Sequence, residues 1–69
     1  MTNEELTTRF TYHAPKPGQP EKYTQIRDVA KTFALLIEQL CPESCEKALA
    51  VTELEASVMW ANAAIARRE

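Results

Sequence analysis

Glycine, histidine and cysteine are all scarce in this chain of 69 residues, and each shortage excludes a class of function. Gly18 is the only glycine, so no glycine-rich loop is present to cradle a phosphate. His13 is the only histidine, and no Ser-His-Asp set or paired-carboxylate signature accompanies it. Two cysteines are too few for a disulfide scaffold. We therefore expect a non-enzymatic protein of a reducing cytoplasm.

The two cysteines, Cys41 and Cys45, also give little support for a metal site. They are four residues apart, with Pro42 between them, and a zinc site would need two further ligands. His13 and a carboxylate could serve, but nothing in the spacing requires them. The simpler interpretation is two small apolar side chains at a helix junction. We expect neither a metal nor another cofactor.

Long hydrophobic runs and an excess of positive charge are also missing. No apolar run approaches the length of a membrane span, and the start lacks the basic and apolar regions of a signal peptide. The net charge of −2 argues against binding to polymeric nucleic acid. The charge is uneven, however, because residues 9–31 hold five cations and two anions, whereas residues 38–55 hold five glutamates and one lysine. These segments are either two solvated helix faces that attract each other, or a basic segment that faces an anionic ligand.

Abundant Ala, Leu, Glu and Lys favour an all-α chain, which we expect to form one helical domain over residues 1–69. Thr2 and Glu5 have the spacing of a capping box, so a short helix is predicted over about 2–9. A loop is predicted over 10–19, because regular structure is excluded there by Pro15, Pro17 and Gly18.

Two long helices are predicted over about 20–41 and about 43–68, because apolar residues recur there at alternating spacings of three and four. The first stripe consists of Tyr23, Ile26, Ala30, Phe33, Ile37 and Leu40, and the second of Val51, Leu54, Val58, Ala61 and Ile65. Pro42 either ends the first helix or opens the second, and Ser44 is a good N-cap. The short connection predicts an antiparallel helical hairpin.

Two helices cannot enclose a core, and a domain of this size is marginally stable alone. Apolar residues on the flanks of the hairpin have no partner within one chain, notably Val29, Leu36, Met59 and Trp60. We therefore expect a homo-oligomer, in which these flanks contact other copies.

The predicted loop combines aromatic rings with nearby cations. Phe10 and Tyr12 are two residues apart, on one side of an extended chain, with Lys16 and Arg27 downstream. Aromatic rings stack on bases and arginine binds phosphate in a bidentate manner, so the set suits a small nucleotide ligand. The alternative is that both rings only attach the loop to the helices. Asn62, in the second long helix, either sets register at an interface or reads a ligand edge.

Four stretches of the chain resemble one known family. They are RFTYHAPK at residues 9–16, YTQIR at 23–27, LCPES at 40–44 and SVMWANAAIAR at 57–67. In this order they resemble the small phage anti-CBASS sponge proteins, which sequester cyclic oligonucleotide signals. The turn departs from the family pattern, because Cys45 stands in place of the expected arginine.

The resemblance implies an assembly and a function. Each protomer would be a short N-terminal helix followed by a long helical hairpin, and the likeness implies a hexamer. Cyclic dinucleotides such as cyclic GMP-AMP would bind between protomers, and cyclic trinucleotides at separate sites near symmetry axes. The ligand would not be cleaved. Its sequestration in the host bacterial cytoplasm would deprive the CBASS effector of its activating signal.

The same resemblance assigns roles to particular residues. Tyr12 would stack on a base and Arg27 would hold phosphate. The loop that closes over the ligand would be shaped by Phe10, His13, Pro15 and Lys16. Asn62 and Arg67 would belong to the trinucleotide site or to the interface around it.

Three alternatives remain open from the sequence. The hairpin could be a protein–protein interaction module, in which Met59 and Trp60 matter and Tyr12 does not. The basic segment could bind RNA or DNA, with an affinity that falls steeply with salt. A hydrolase would need a metal or an essential His13.

Overall fold

The computed structural model describes all residues, 1–69, and contains three α-helices and no strands. Helix α1 spans Asn3–Phe10, α2 spans Gln19–Leu40 and α3 spans Cys45–Arg68. Helices α2 and α3 form an antiparallel hairpin, because α2 begins beside the end of α3 and ends beside its start. The chain is therefore all-α, with a short first helix and a long hairpin.

Helix α1 is short but has local support at both ends. The Thr2 side chain accepts a hydrogen bond from the Glu5 backbone N–H at 3.1 Å, which is the N-cap predicted from sequence. Glu5 also pairs with Arg9 one turn later, with Oε1 and Nε 3.1 Å apart. This pair joins the first turn to the last turn. Phe10 is the last helical residue and not the first residue of the loop as predicted.

Gly18 is the cap residue just before α2, and it adopts a backbone conformation that residues with side chains disfavour. Its φ is +87°, in the left-handed region, and no atom beyond the adjoining residues lies within 4 Å of where a Cβ would be. Any other residue here would strain the backbone without meeting a steric obstacle. Gln19 and Pro20 follow as the first helical residues, and proline suits this position because it lacks an N–H.

The turn between α2 and α3 is short and capped. Helix α2 ends at Leu40, Pro42 lies in the connection, and the Ser44 hydroxyl accepts from the Lys47 backbone N–H at 3.1 Å. Ser44 is therefore the N-cap, as predicted, and α3 begins at Cys45, two residues later than the sequence suggested. The reason is that the cap residue itself has extended backbone and stands outside the helix.

The hairpin is a single layer of helices and has no hydrophobic core. The chain as a whole is flat, with extents of 45 × 29 × 13 Å along its principal axes. The apolar seam is only partly covered, and no hydrophobic residue is buried. The predicted uncovered flanks are confirmed, since Val29 is 65% exposed and Trp60 is 70% exposed.

The only two buried residues are polar, and they lie at opposite ends of the hairpin. Gln19 is 2% exposed at the start of α2, and Lys47 is 7% exposed in the first turn of α3. Lys47 Nζ donates to the Glu38 carbonyl oxygen at 3.1 Å and to Glu43 Oε1 at 2.6 Å. The pairing with Glu43 raises the pKa of Lys47 and lowers the pKa of Glu43.

None of the three helices combines the length and the apolar character that crossing a membrane requires.

Candidate functional site

Residues from all three helices and the first loop line a surface groove of about 450 Å³. We call it the arginine groove. It is lined by Arg9, Thr11, Tyr12, His13, Tyr23, Arg27, Asn62, Ala63, Ala66 and Arg67. Tyr23 and Arg27 lie one turn apart on α2, and Asn62, Ala66 and Arg67 lie in the last two turns of α3.

The arginine groove contains three guanidinium groups and no carboxylate. Arg27 and Arg67 form no ion pair, whereas Arg9 is paired with Glu5. Unpaired guanidinium groups keep their donors available, and their planar geometry matches two oxygens of a phosphate. In a chain with a net charge of −2, this groove is a local concentration of positive charge, which favours an anionic ligand.

Aromatic rings flank the cations. Tyr12 is 83% exposed at the rim of the groove, so its ring has a free face, and Tyr23 is partly buried in the wall. The loop that carries Tyr12 is attached to α1, because His13 Nε2 donates to the Thr8 carbonyl oxygen at 2.7 Å. This bond requires the proton on Nε2, which leaves Nδ1 of neutral His13 as an acceptor. The groove can therefore offer both stacking and phosphate contacts to one ligand.

Asn62 contributes an acceptor without a partner. Its Oδ1 atom is buried and makes no hydrogen bond. A buried acceptor left unpaired costs about 1–3 kcal/mol. A rotation of the Asn62 side chain that exposed this atom to a ligand N–H would recover that cost, and nucleobase edges carry such donors.

Helix α1 is attached to the end of α3 by a charged contact at the edge of the groove. Arg68 donates to Glu5 from Nη1 to Oε2 at 3.0 Å and from Nη2 to Oε1 at 2.5 Å. Arg68, and secondly Arg9, lower the pKa of the Glu5 carboxyl to about 2. This contact holds Arg9 and the following loop beside α3.

The structure brings together five of the eight residues singled out from sequence. These are Tyr12, His13, Arg27, Asn62 and Arg67, which all line the arginine groove. Phe10 instead lies in a neighbouring groove of about 420 Å³ with Trp60. Arg67 lines both grooves.

Phe10, Pro15 and Lys16 lie outside the arginine groove for identifiable reasons. Phe10 is helical, so it does not share a side of an extended chain with Tyr12 as predicted. Pro15 is exposed in the loop. Lys16 Nζ turns toward the end of α3, where it donates to the backbone carbonyl oxygen of Glu69.

The sequence did not single out Arg9, Thr11 and Tyr23 as groove residues. Tyr23 looked like the first member of the apolar stripe, and its phenol is in fact part of the groove wall. A signal was present, because Tyr23 and Arg27 are four residues apart and share a helix face. Gln19 was missed as well, since nothing local distinguishes a buried glutamine from an exposed one.

The cysteines take no part in the arginine groove. Cys41 and Cys45 are free and exposed at the far end of the hairpin. No three His, Cys, Asp or Glu side chains come together in a way that could hold a metal ion.

Comparison with known proteins gives one match. The family model of the Acb2/Tad1 hairpin domain matches residues 2–66, nearly the whole chain, and this match confirms the resemblance noted from sequence. No curated protein and no solved structure matches it. The stretch that matches includes all three helices up to Ala66 and every residue of the arginine groove except Arg67. The chain therefore belongs to the Acb2/Tad1 hairpin-domain family, the anti-CBASS sponge proteins.

Proposed function

We propose that this protein sequesters cyclic di- and trinucleotide signals, such as cyclic GMP-AMP, and releases them unchanged. Bound signal cannot activate a CBASS effector, so the antiphage response of the host bacterium is blocked. The protein would act in the host bacterial cytoplasm, where these signals are made. Because the mechanism is mass action, the protein must be abundant relative to the signal.

The observation that carries the proposal is the composition of the arginine groove. Tyr12 supplies a stacking face, Arg27 and Arg67 supply unpaired guanidinium groups, and Asn62 supplies an acceptor. A cyclic dinucleotide has two phosphates and two bases, so a few cations can bind its phosphates and aromatic rings can stack on its bases. A long nucleic acid is bound through many phosphate contacts, and a chain with a net charge of −2 is poorly suited to make them.

A second copy of the chain would complete the site, because one protomer leaves the groove open. The accessible surface is 5562 Å². A compact monomer of this mass would expose about 4,400 Å² by the usual size scaling. The excess, on the order of 1,200 Å², is larger than the roughly 800 Å² that one partner contributes to a standard interface. We therefore propose a homo-oligomer, and the family likeness favours a hexamer.

The proposal assigns no chemical step to the groove. Its guanidinium, phenol and amide groups bind and orient a ligand, and no carboxylate is present to act as a base. Nε2 of the only histidine, His13, is held by the Thr8 carbonyl oxygen. Ligand recovered after heat denaturation of the complex should therefore be intact.

Titration calorimetry with cyclic GMP-AMP tests the proposal. Arg27→Gln should lower affinity by roughly tenfold or more, because hydrogen bonds to charged groups contribute about 1.5–3 kcal/mol. Lys31→Gln is the matched control, since Lys31 lies one turn further along α2, is also unpaired and lies outside the groove. It removes the same charge and should change affinity less than about twofold.

Three results would contradict the proposal. The first is an absence of heat with cyclic GMP-AMP and with a cyclic trinucleotide at micromolar concentration. The second is an equal loss of affinity in Arg27→Gln and Lys31→Gln, which would indicate general attraction of anions. The third is linear or hydrolysed nucleotide in the recovered ligand, which would indicate a phosphodiesterase activity instead of sequestration.

The alternative function is a protein–protein interaction module without a nucleotide ligand. The exposure of Met59 and Trp60, 65% and 70%, is the observation that favours it. It requires that Trp60→Ala abolish the block of the antiphage response while Tyr12→Ala leaves it intact. The sequestration proposal requires that Tyr12→Ala abolish it.

A further inference from the structure

Gln19 is the most buried residue in a chain that buries no hydrophobic residue. Side chains of glutamine are usually exposed, and burying an amide is unfavourable unless its hydrogen bonds are made. Its place at the start of a helix therefore does not by itself explain why Gln19 is buried.

The Gln19 amide is hydrogen-bonded to two separate parts of the chain. Its Oε1 accepts from the Lys16 backbone N–H at 2.9 Å. Its Nε2 donates to the Ile65 carbonyl oxygen at 3.2 Å and to Glu69 Oε1 at 3.3 Å. One side chain thus joins the first loop to the last turn of α3.

These two parts of the chain both lead into the arginine groove. The loop held at Lys16 carries Tyr12 and His13, and Ile65 lies between Asn62 and Arg67 on α3. Gln19 itself lies one turn before Tyr23 on α2, so it stands at the end of the groove where all three elements meet. Gln19 lies outside the groove lining.

We propose that Gln19 is a positioning residue, which sets the distance between the loop and α3 and so brings the aromatic and guanidinium groups of the arginine groove into register for an anionic nucleotide. The inference rests on the proposed function for the identity of the ligand. It adds a residue that acts through Tyr12, Arg27 and Arg67 without touching the ligand.

Only an amide satisfies both sides of this contact. Methionine has a similar length but can neither accept from Lys16 nor donate to Ile65. Glutamate can accept from Lys16, but it cannot donate to Ile65 and would place a second carboxylate beside Glu69. The Glu69 carboxylate is ionised, because Lys22, and secondly Gln19, lower the pKa of Glu69. Gln19→Glu is therefore the more disruptive change, and it is the one that a second substitution can repair.

The test measures the affinity for cyclic GMP-AMP by titration calorimetry, well below the melting temperature, together with the amide exchange rate of Lys16. Gln19→Met should weaken binding at least tenfold and should accelerate exchange at Lys16, whose N–H loses its acceptor. Lys22→Met is the matched control, because Lys22 Nζ contacts the same Glu69 carboxylate at 2.5 Å without contacting the loop. It should change affinity less than about threefold.

A second pair of variants separates positioning from folding. Gln19→Glu should weaken binding more than Gln19→Met does. Adding Glu69→Gln should restore part of the affinity, because the new amide can donate to the carboxylate introduced at position 19. If the Gln19→Met variant loses its helical circular dichroism signal, the affinities of Gln19→Glu with and without Glu69→Gln decide whether Gln19 is a positioning residue. A purely structural role would lower the melting temperature in each variant and leave the affinity of the folded protein unchanged.

The possible failures are distinguishable. Tight binding by the unmodified chain with an affinity within twofold for Gln19→Met would overturn this inference and leave the proposed function standing. An unchanged Lys16 exchange rate in Gln19→Met would overturn it as well. An absence of binding by the unmodified chain would overturn the proposed function and this inference with it.

Discussion

Phe33 should be one of the residues through which copies of the chain associate. It belongs to the α2 stripe that faces α3, but it is 53% exposed and also continues a second, exposed apolar stripe with Val29, Leu36 and Leu40. About half of a phenylalanine side chain of roughly 200 Å² is therefore available to a partner. At about 25 cal/mol/Å² its burial would contribute about 2.5 kcal/mol per copy, of which alanine would lose about 2 kcal/mol.

The expected change in association is large because the interface is symmetric. In a two-fold contact both copies carry the substitution, so Phe33→Ala should cost about 4 kcal/mol, on the order of a thousandfold in the dissociation constant. The control is Leu35→Ala. Leu35 is equally exposed, at 55%, but lies about 130° around the helix from the stripe. It should leave the assembly at micromolar concentration intact.

Sedimentation velocity measures the assembly directly. The unmodified chain and Leu35→Ala should sediment as the same oligomer, and Phe33→Ala should shift toward the 7.8 kDa protomer. The reasoning is refuted if the unmodified chain sediments as a 7.8 kDa monomer. It is also refuted if Phe33→Ala and Leu35→Ala have the same effect, because the stripe would then have no special role.

Three further predictions concern contacts within one protomer. The pKa of Glu5 in the folded chain is lowered to about 2, so its stabilising pairing with arginine is complete above about pH 4.5 and is lost as the pH falls toward 2. Amide exchange should therefore show α1 detaching from α3 over this pH range. In Glu5→Gln, amide exchange should show α1 detached at every pH. Ser44→Ala removes the N-cap of α3 and should lower the free energy of unfolding by about 1 kcal/mol in urea, whereas Ser44→Asp should not. Lys47→Met should lower the urea midpoint of unfolding less than Ser44→Ala does, because the Glu38 and Glu43 carboxylates are exposed and stay hydrated when the lysine is removed. A larger shift in Lys47→Met than in Ser44→Ala would contradict this prediction.

The helices could be predicted because their signals are local. Thr2 and Ser44 are caps that act on the next three residues, and the stripes repeat within a few turns. The sequence predicts the end of α1 one residue short, since the Glu5–Arg9 pair that supports its last turn is a weak signal.

The candidate site could be predicted only in part, because its members come together through the hairpin. The sequence predicts Tyr12 and Arg27 as site residues from the chemistry of their side chains alone, whatever surrounds them. The role of Tyr23 in the groove wall depends on which side of α2 faces α3. The burial of Gln19 depends on the loop and on the end of α3 at once. No local pattern carries that information.

The two buried polar residues explain how a hairpin without a core keeps its register. Heptad-like stripes permit more than one alignment of α2 and α3, since a slip of one turn, about 5.4 Å, again brings apolar side chains together. Such a slip would break the bonds of Gln19 to Ile65 at one end and of Lys47 to Glu38 at the other. Buried polar contacts add little net stability but penalise the wrong alignment, because an unpaired buried group is costly. The register of the arginine groove therefore depends on polar contacts within one protomer.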